Sequence, residues 1–212
     1  MFSTIANDYY LYALQVYKDK QNIDELTNYI VNVRKFNLDI IEKANLTLVS
    51  GKNLLVTHLS NLALKDEEKL ILFDEYEHLG LIKKSLNSAK NHKFYLPLIQ
   101  ELQQSYYDHF SEGRVLFPLQ NETGKILGFA GGVTNESVKG PKYLFTKGLK
   151  KGSILYRSNS AFENLQKSRD ELTSLYICEG LLDALRLESL GYAAVAILGA
   201  SLSAEQTKLI CS

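Results

Sequence analysis

Along the first hundred residues the large apolar side chains recur every three or four positions, and no proline appears before Pro97. That spacing gathers them on one stripe of a helix. It predicts a helix over residues 7–16, with Tyr9, Tyr10, Ala13, Leu14 and Tyr17 turned inward. A second is predicted over residues 24–33, with Leu26, Tyr29, Ile30 and Val33 on one face. Asn37 is placed to cap a short helix carrying Ile40, Ile41 and Ala44, and Asp66 to cap a longer one with acids in its first turn. Gly80 is placed to stop that helix.

The pattern then changes period. In "GRVLFPLQNETGKILGFAGGV" two apolar runs flank a turn-rich spacer containing Gly124, which predicts a β-hairpin. Pro118 within the first run points to an edge strand or a bulge. "GPKYLFT" and "SILYR" read as further short strands, followed by a helix over residues 158–166. Strands at 175–178 and 193–198 then alternate with helices at 181–190 and from near Ser203, the pattern of a parallel pair with a right-handed crossover. Two parallel strands expose too much sheet to complete a domain, so the expectation is a piece of a larger α/β unit.

Composition narrows the field without choosing within it. The 212 residues are 45% hydrophobic and 23% charged with no net charge, as in an ordinary globular chain. Bulk charge therefore nominates neither nucleic acid nor membrane. The two cysteines, Cys178 and Cys211, stand outside any CxxC or His-Cys cluster, so neither a zinc ribbon nor a disulfide framework is expected. Cys178 reads as a small buried hydrophobe. The start "MFSTIANDYYLY" lacks the basic and apolar regions of a signal peptide, and no apolar run is long enough to span a bilayer. A reducing, cytoplasmic setting with no membrane partner is the expectation.

Two stretches carry candidate chemistry. In "LYICEGLLDAL" a predicted buried strand ends in Glu179, Gly180 lets the chain turn away, and Asp183 falls at the start of the next helix. Ligands of parallel sheets collect beyond the carboxyl ends of strands. Taken alone, the Glu-Gly pair fits a solvated strand-end acid at least as well as a metal ligand, because magnesium sites that handle phosphates usually gather two or more carboxylates. From Lys139 to Arg157 the chain carries Lys139, Lys142, Lys147, Lys150, Lys151 and Arg157 with no acid, interleaved with Tyr143, Phe145 and Tyr156. Cations neutralise phosphates and rings stack on bases, although such a segment also suits a plain solvated loop.

In order, "EGRVLFPLQNETGKILGFAGGV", "GPKYL", "KKGSILY" and "LYICEGLLDALRLESLGYAAVAILGASLSAEQTKLI" resemble the catalytic core of bacterial-type DNA primases, which carries a Toprim fold. The likeness covers about residues 106–210 and extends more weakly to "NYIVNVRKFNLDIIEKANLTLVSG". It implies an α+β chain in three parts: a helical region over 1–105, a mixed α/β basic subdomain with the hairpin over 106–170, and a partial Toprim unit over 171–212. Glu179 would be the first acid of the metal site, catalytic through Mg2+ or Mn2+, with Gly180 and Asp183 following it in the family pattern. Lys142, Tyr143 and Lys151 would line the ridge that tracks nucleic acid or nucleotide, and Arg114 would join that surface.

The implied activity of the intact enzyme is RNA primer synthesis on a single-stranded DNA template from ribonucleoside triphosphates, with a replicative helicase as a further partner. No zinc is implied in this chain. The sequence also departs from the family pattern. Gly132 stands where an arginine is usual and Phe145 where an asparagine is usual, and the Asp-x-Asp pair of the next Toprim strand is not among these residues. The metal site is therefore expected to be incomplete and the chain inactive by itself. A non-catalytic single-strand-binding module and a Toprim-type nuclease are the alternatives.

Overall fold

The computed structural model describes residues 2–85, 97–167 and 174–211, with side chains from residue 6 onward. Helix α1 (Phe2–Lys20) runs past both ends of the predicted segment. Its apolar stripe holds: Tyr10, Ala13, Leu14 and Tyr17 are buried and Tyr9 is half-buried. Helix α2 (Ile23–Thr27) starts at Asn22, whose side chain accepts from the Glu25 amide, and runs on into a π-helical stretch, Asn28–Val33. There the Arg34 amide donates to the Tyr29 carbonyl, five residues back. The wider turn rotates Val33 off the predicted inward face, and it lies 57% exposed.

Helix α3 (Ile40–Lys43) has no side-chain cap. Asn37 accepts through its backbone carbonyl instead, and Asp39 pairs with Lys43 at 2.6 Å. After α4 (Leu54–Ser60) comes α5 (Asp66–His78), in which Asp66 is the first helical residue and Lys65 the cap. The Glu68 carboxylate reaches back to accept from the Lys65 amide at 2.9 Å. Gly80 ends this segment with φ +72°, and a Cβ there would also lie 2.7–2.9 Å from the Lys147 backbone and Cβ.

The nominally helical first hundred residues also contribute two strands, β1 (Thr47–Leu48) and β2 (Ile82–Lys84). Helix α6 (Leu98–Ser105) leads directly into β3 (Tyr106–Asp108), which pairs with β2. The predicted hairpin is β4 (Arg114–Gln120) and β5 (Ile126–Val133), joined by a turn in which Asn121 Oδ1 accepts from the amides of Thr123 and Lys125. With β6 (Tyr143–Phe145) they form an antiparallel sheet in the order β1-β4-β5-β6. Strand β4 is thus interior rather than an edge. Pro118 is accommodated because β1 reaches only as far as Val115 and Leu116, and the register slips one residue beyond Pro118.

The sheet is covered on both faces, following the two-residue alternation of a strand. Val115, Phe117, Leu119 and Ala130 meet Leu26, Tyr29, Ile30 and Ile40. Leu116, Ile126 and Phe129 meet α1, α4 and α5 through Tyr10, Leu14, Leu55 and Phe73.

"SILYR" is not a strand. A 3-10 turn occupies Lys151–Ser153, and Tyr156 makes one isolated antiparallel bridge, exchanging amide bonds of 2.9 and 3.1 Å with Ala196. The remainder follows the predicted alternation: α7 (Ser158–Lys167), β7 (Leu175–Cys178), α8 (Leu181–Ser189), β8 (Ala193–Ala196) and α9 (Ala204–Cys211), with β7 and β8 parallel. Ser203 and Gln206 cap α9 reciprocally, each side chain accepting from the other's amide at 3.0 Å.

Helix α8 packs on the main sheet. Leu181, Ala184 and Leu185 join the cluster that begins at Leu26, and Arg186 lies 3.9 Å over the Phe36 ring while donating to the Arg34 and Lys35 carbonyls. One core thus runs from residue 26 to residue 198; the boundary drawn at residue 170 lies outside the described residues. Among the described residues no helix is long and apolar enough to cross a membrane.

Candidate nucleic-acid and metal site

Strand β7 corrects one premise of the sequence reading. It is not buried: Tyr176 and Ile177 are 43% and 48% exposed, and Cys178 is half-buried rather than a core residue. Only β8 pairs with it among the described residues, so one edge and much of one face meet solvent. Glu179 follows, exposed, with no hydrogen bond or ion pair to any described residue.

Gly180 caps α8 in an extended conformation, φ −100° and ψ 146°, so a left-handed turn is not what requires glycine here. Clearance is. A Cβ on Gly180 would come within 2.6 Å of Asp183 Oδ2. The Asp183 carboxylate folds back over the first turn, where the helix N-terminus favours negative charge. Its field reaches two neighbours: the Cys178 thiol is pushed up by burial and then by Asp183, and the Tyr143 phenol is pushed up to about 12, mainly by burial, with Tyr29 and Asp183 adding to it.

Tyr143 opens β6, on the edge of the main sheet. It and Phe145 point to the sheet face that carries α8, while Leu144 points to the other. The Tyr143 ring packs edge-on against Phe117, 6.3 Å between centroids, and the Lys151 ammonium stands 4.7 Å over Phe145. Tyr143, Lys151 and the Glu179-Gly180-Asp183 corner therefore lie on one side of the sheet, with Lys142 exposed at the strand's start. The ring of Tyr143 also crowds Gly132. A Cβ there would lie 3.0 Å from Tyr143 and 3.2 Å from Phe117, so any larger residue requires those two rings to give by a few tenths of an ångström.

Two cations are engaged within the fold instead: Arg114, expected on that surface, and Arg157, which closes the basic stretch. Arg114 is 1% exposed and donates to the carbonyls of Gly131, Pro141 and Lys139 and to Ser111 Oγ, which fixes the approach to β6 rather than offering charge to a ligand. Arg157, at φ +68°, is buried and grips Glu188 with Nε and Nη2, while Ser160 Oγ adds a 2.7 Å bond to the same carboxylate. The sequence reading missed the buried Asp108, whose carboxylate accepts from the Leu55 and Val56 amides at 3.0 and 2.9 Å and from Tyr17. Its partners lie more than fifty residues away, and no local pattern announces them.

As a metal site the corner has the right donor type and too few donors. Glu179 and Asp183 offer carboxylate oxygens, which suit Mg2+ or Mn2+, and no soft ligand stands beside them except the half-buried Cys178. Among the described residues no three acidic, histidine or cysteine side chains gather into a cage. Magnesium bound by one or two carboxylates completes its shell with water and substrate phosphates.

With this geometry in place, the family can be read. Residues 11–162 match the family model described as the DNA primase catalytic core, N-terminal domain. The chain belongs to this family. Its relatives include the DNA primase of Deinococcus radiodurans, 38% identical over 111 residues, covering 49% of this chain and 18% of the relative. The Clostridium acetobutylicum DNA primase is 34% identical over 141 residues, covering 65% of this chain and 22% of that one.

The chain thus spans about a fifth of the length of these primases. Among solved structures, a DNA primase domain from Pseudomonas aeruginosa superposes with a TM-score of 0.62 at 26% identity, over 88% of this chain and 50% of that one. The RNA polymerase domain of Mycobacterium tuberculosis primase DnaG gives 0.70 at 21% identity, over 98% and 60%. A DnaG primase catalytic domain bound to ssDNA gives 0.68 at 20% identity, over 99% and 59%. The fold of a primase catalytic core is therefore shared along nearly the whole chain.

Proposed function

We propose that this chain is part of a primase whose core binds single-stranded DNA and ribonucleoside triphosphates over β6 and the N-terminus of α8. The observation that carries the reading is convergence. Tyr143 and the Lys151–Phe145 pair come from one stretch, the Glu179-Gly180-Asp183 corner from another, and they occupy one side of the main sheet. Lys142 and Lys151 neutralise backbone phosphates, and the edge of Tyr143 offers a partly apolar wall to a base. The free amides at the start of α8 attract phosphate, and Asp183 tempers that attraction.

Glu179, with Asp183 beside it, would hold Mg2+ or Mn2+. When bound, that ion polarises phosphate oxygens and stabilises the charge that develops as one nucleotide is joined to the next. Glu179 suits the role because, among the described residues, nothing else engages its carboxylate. The whole protein would then make RNA primers on a DNA template, and a replicative helicase would be its partner.

The test is binding and synthesis measured side by side. The chain is expected to bind single-stranded DNA with a steep salt dependence and to make no primer from ribonucleotides and magnesium. Lys151→Ala should lower the salt slope by about 0.7, the loss of one phosphate contact on a single strand. Robust synthesis by this chain alone would overturn the reading that its metal site is incomplete, and cleavage of DNA without nucleotide incorporation would favour a nuclease.

A further inference from the structure

The loop after β6 departs from the main site and packs elsewhere. Lys147 backs directly onto Gly80, which brings it beside β2, although Lys83 lies 64 residues earlier in the chain. In the β2–β3 ribbon Lys83 stands opposite Tyr107, so the two side chains leave the same face as cross-strand neighbours. Tyr107 is 42% exposed.

Beneath them His109 donates from Nε2 to the Phe145 carbonyl at 2.7 Å, and its amide bonds to the Leu81 carbonyl, so the ribbon and the end of β6 are locked together. His109 is 6% exposed and its Nδ1 has no hydrogen-bond partner among the described residues.

Around Lys83, Lys147 and His109 the charge has one sign, while the cleft on the far side of Tyr107 takes Glu25 and Glu112 beside Lys52 and Lys139. Neither Lys83 nor Lys147 forms an ion pair with a described residue. Lys83 loses proton affinity to burial and then to Lys147. His109 is pushed down to about 4 by burial, with Lys83, Arg114 and Lys147 repelling a second proton. The acid next door, Asp108, turns away into the amides at the start of α4. Cations held together without a counter-ion, beside an exposed ring, present what a single strand requires: charge for phosphate and a flat face for a base.

We infer that Lys83, Lys147 and Tyr107 form an accessory single-strand subsite that extends the track of Lys142 and Lys151 onto the β2–β3 ribbon. The inference rests on the proposed nucleic-acid function and deepens it. Lys83 and Lys147 each hold a backbone phosphate, and Tyr107 stacks on one base. Because Lys147 is anchored to Gly80 and Lys151 to Phe145, both parts of the track hang from the two ends of a single short loop.

Strand length separates this subsite from the main one. Fluorescently labelled oligo-dT of about 4 and about 16 nucleotides, the limits of common single-strand site sizes, is titrated with the 212-residue chain. The long strand should bind more tightly. Lys83→Ala with Lys147→Ala should erase most of that advantage, lower the long-strand salt slope by about 1.4, and leave short-strand binding unchanged. Tyr107→Leu should weaken long-strand binding about tenfold and Tyr107→Phe should restore it, since stacking needs the ring and not the hydroxyl.

Circular dichroism checks that each variant keeps its fold. Photo-crosslinking of the long strand to unmodified protein, read by peptide mapping, should label Tyr107 whatever the variants do. Long-strand binding that ignores all of these changes but falls with Lys142→Ala would overturn the subsite and leave the main reading standing. Absence of binding to either length would overturn both.

Discussion

The four-stranded sheet and the parallel pair β7–β8 treat their polar groups in opposite ways. In the first, covered on both faces, charged side chains that look available in the sequence are used up internally. Arg114 holds three carbonyls, and in the β2–β3 ribbon beside this sheet Asp108 holds two helix amides and a phenol. In the second, Tyr176 and Ile177 meet solvent and the Glu179 side chain engages no described residue. Burial therefore separates structural charge from chemical charge here, since a group already saturated by backbone partners has little left for a ligand. Substitutions should divide along the same line: costly for the fold on one side, nearly silent for it on the other.

The largest effect is expected at the joint between the two regions. The side chains of Arg157 and Glu188 are only 7% and 11% exposed, so Arg157→Ala leaves a buried carboxylate without its counter-ion. A loss of about 3–5 kcal/mol of unfolding free energy is expected, read by urea denaturation. Arg157→Gly tests the same bond with an easier backbone, because glycine accepts the φ of +68° without strain. It should lose less. A gain in stability would show that backbone strain, and not the ion pair, dominates at this position.

Next comes Arg114→Met, which keeps most of the volume but abandons the carbonyls of Gly131, Pro141 and Lys139. About 2–3 kcal/mol should be lost on the same measurement, as several buried acceptors go unpaired. Single-strand binding by the folded fraction should hardly change. A binding defect much larger than the stability defect would return Arg114 to the nucleic-acid surface.

Much of the fold was legible because its long elements advertise themselves by period. The stripe of α1, the two apolar runs of β4 and β5 about their turn, and the strand-helix-strand of residues 175–196 all stand where the pattern places them. What stayed hidden is short or made elsewhere. Strands β1 and β2 have two and three residues, too few for any period, and exist because β4 and β3 supply their partners. The burial of Arg114 and Arg157 was hidden for the same reason. A basic residue looks solvated in the sequence until carbonyls or a carboxylate from distant segments close on it. Sequence could nominate Glu179, Tyr143 and Lys151, but only the packing of α8 on the sheet sets them on one side.

A smaller effect should appear in the acid limb of stability. The His109 pKa, pushed down to about 4 by burial and nearby cations, lies below its unfolded value near 6.5, so the unfolded chain binds the extra proton first. The stability that neutral His109 contributes is present above that unfolded value and is lost as pH falls toward 4. Burial raises the Asp108 pKa, which has the opposite sign: its contribution is present at low pH and lost as pH rises through the raised value. The His109 slope should be cleanest in the upper part of the window. His109→Gln keeps a donor for the Phe145 carbonyl and removes the titration, so its stability should be flatter there. An unchanged slope would mean another group sets the acid limb.

The smallest expected effect concerns the open side, at Gly180. Adding a methyl group there places Cβ within 2.6 Å of Asp183 Oδ2, but that carboxylate is exposed and can swing away. Gly180→Ala should therefore cost only about 0.3–1 kcal/mol, the worth of an acid at a helix N-terminus. Asp183→Ala should cost a similar amount for the same reason. If the glycine is there to clear space for the carboxylate, the two losses are one loss, and Gly180→Ala in the Asp183→Ala background should cost close to nothing. The cycle decides by coupling rather than by size. Additive costs would mean that Gly180 serves the chain's turn out of β7 instead, and the Glu179–Asp183 corner would lose its claim to having been shaped for two carboxylates.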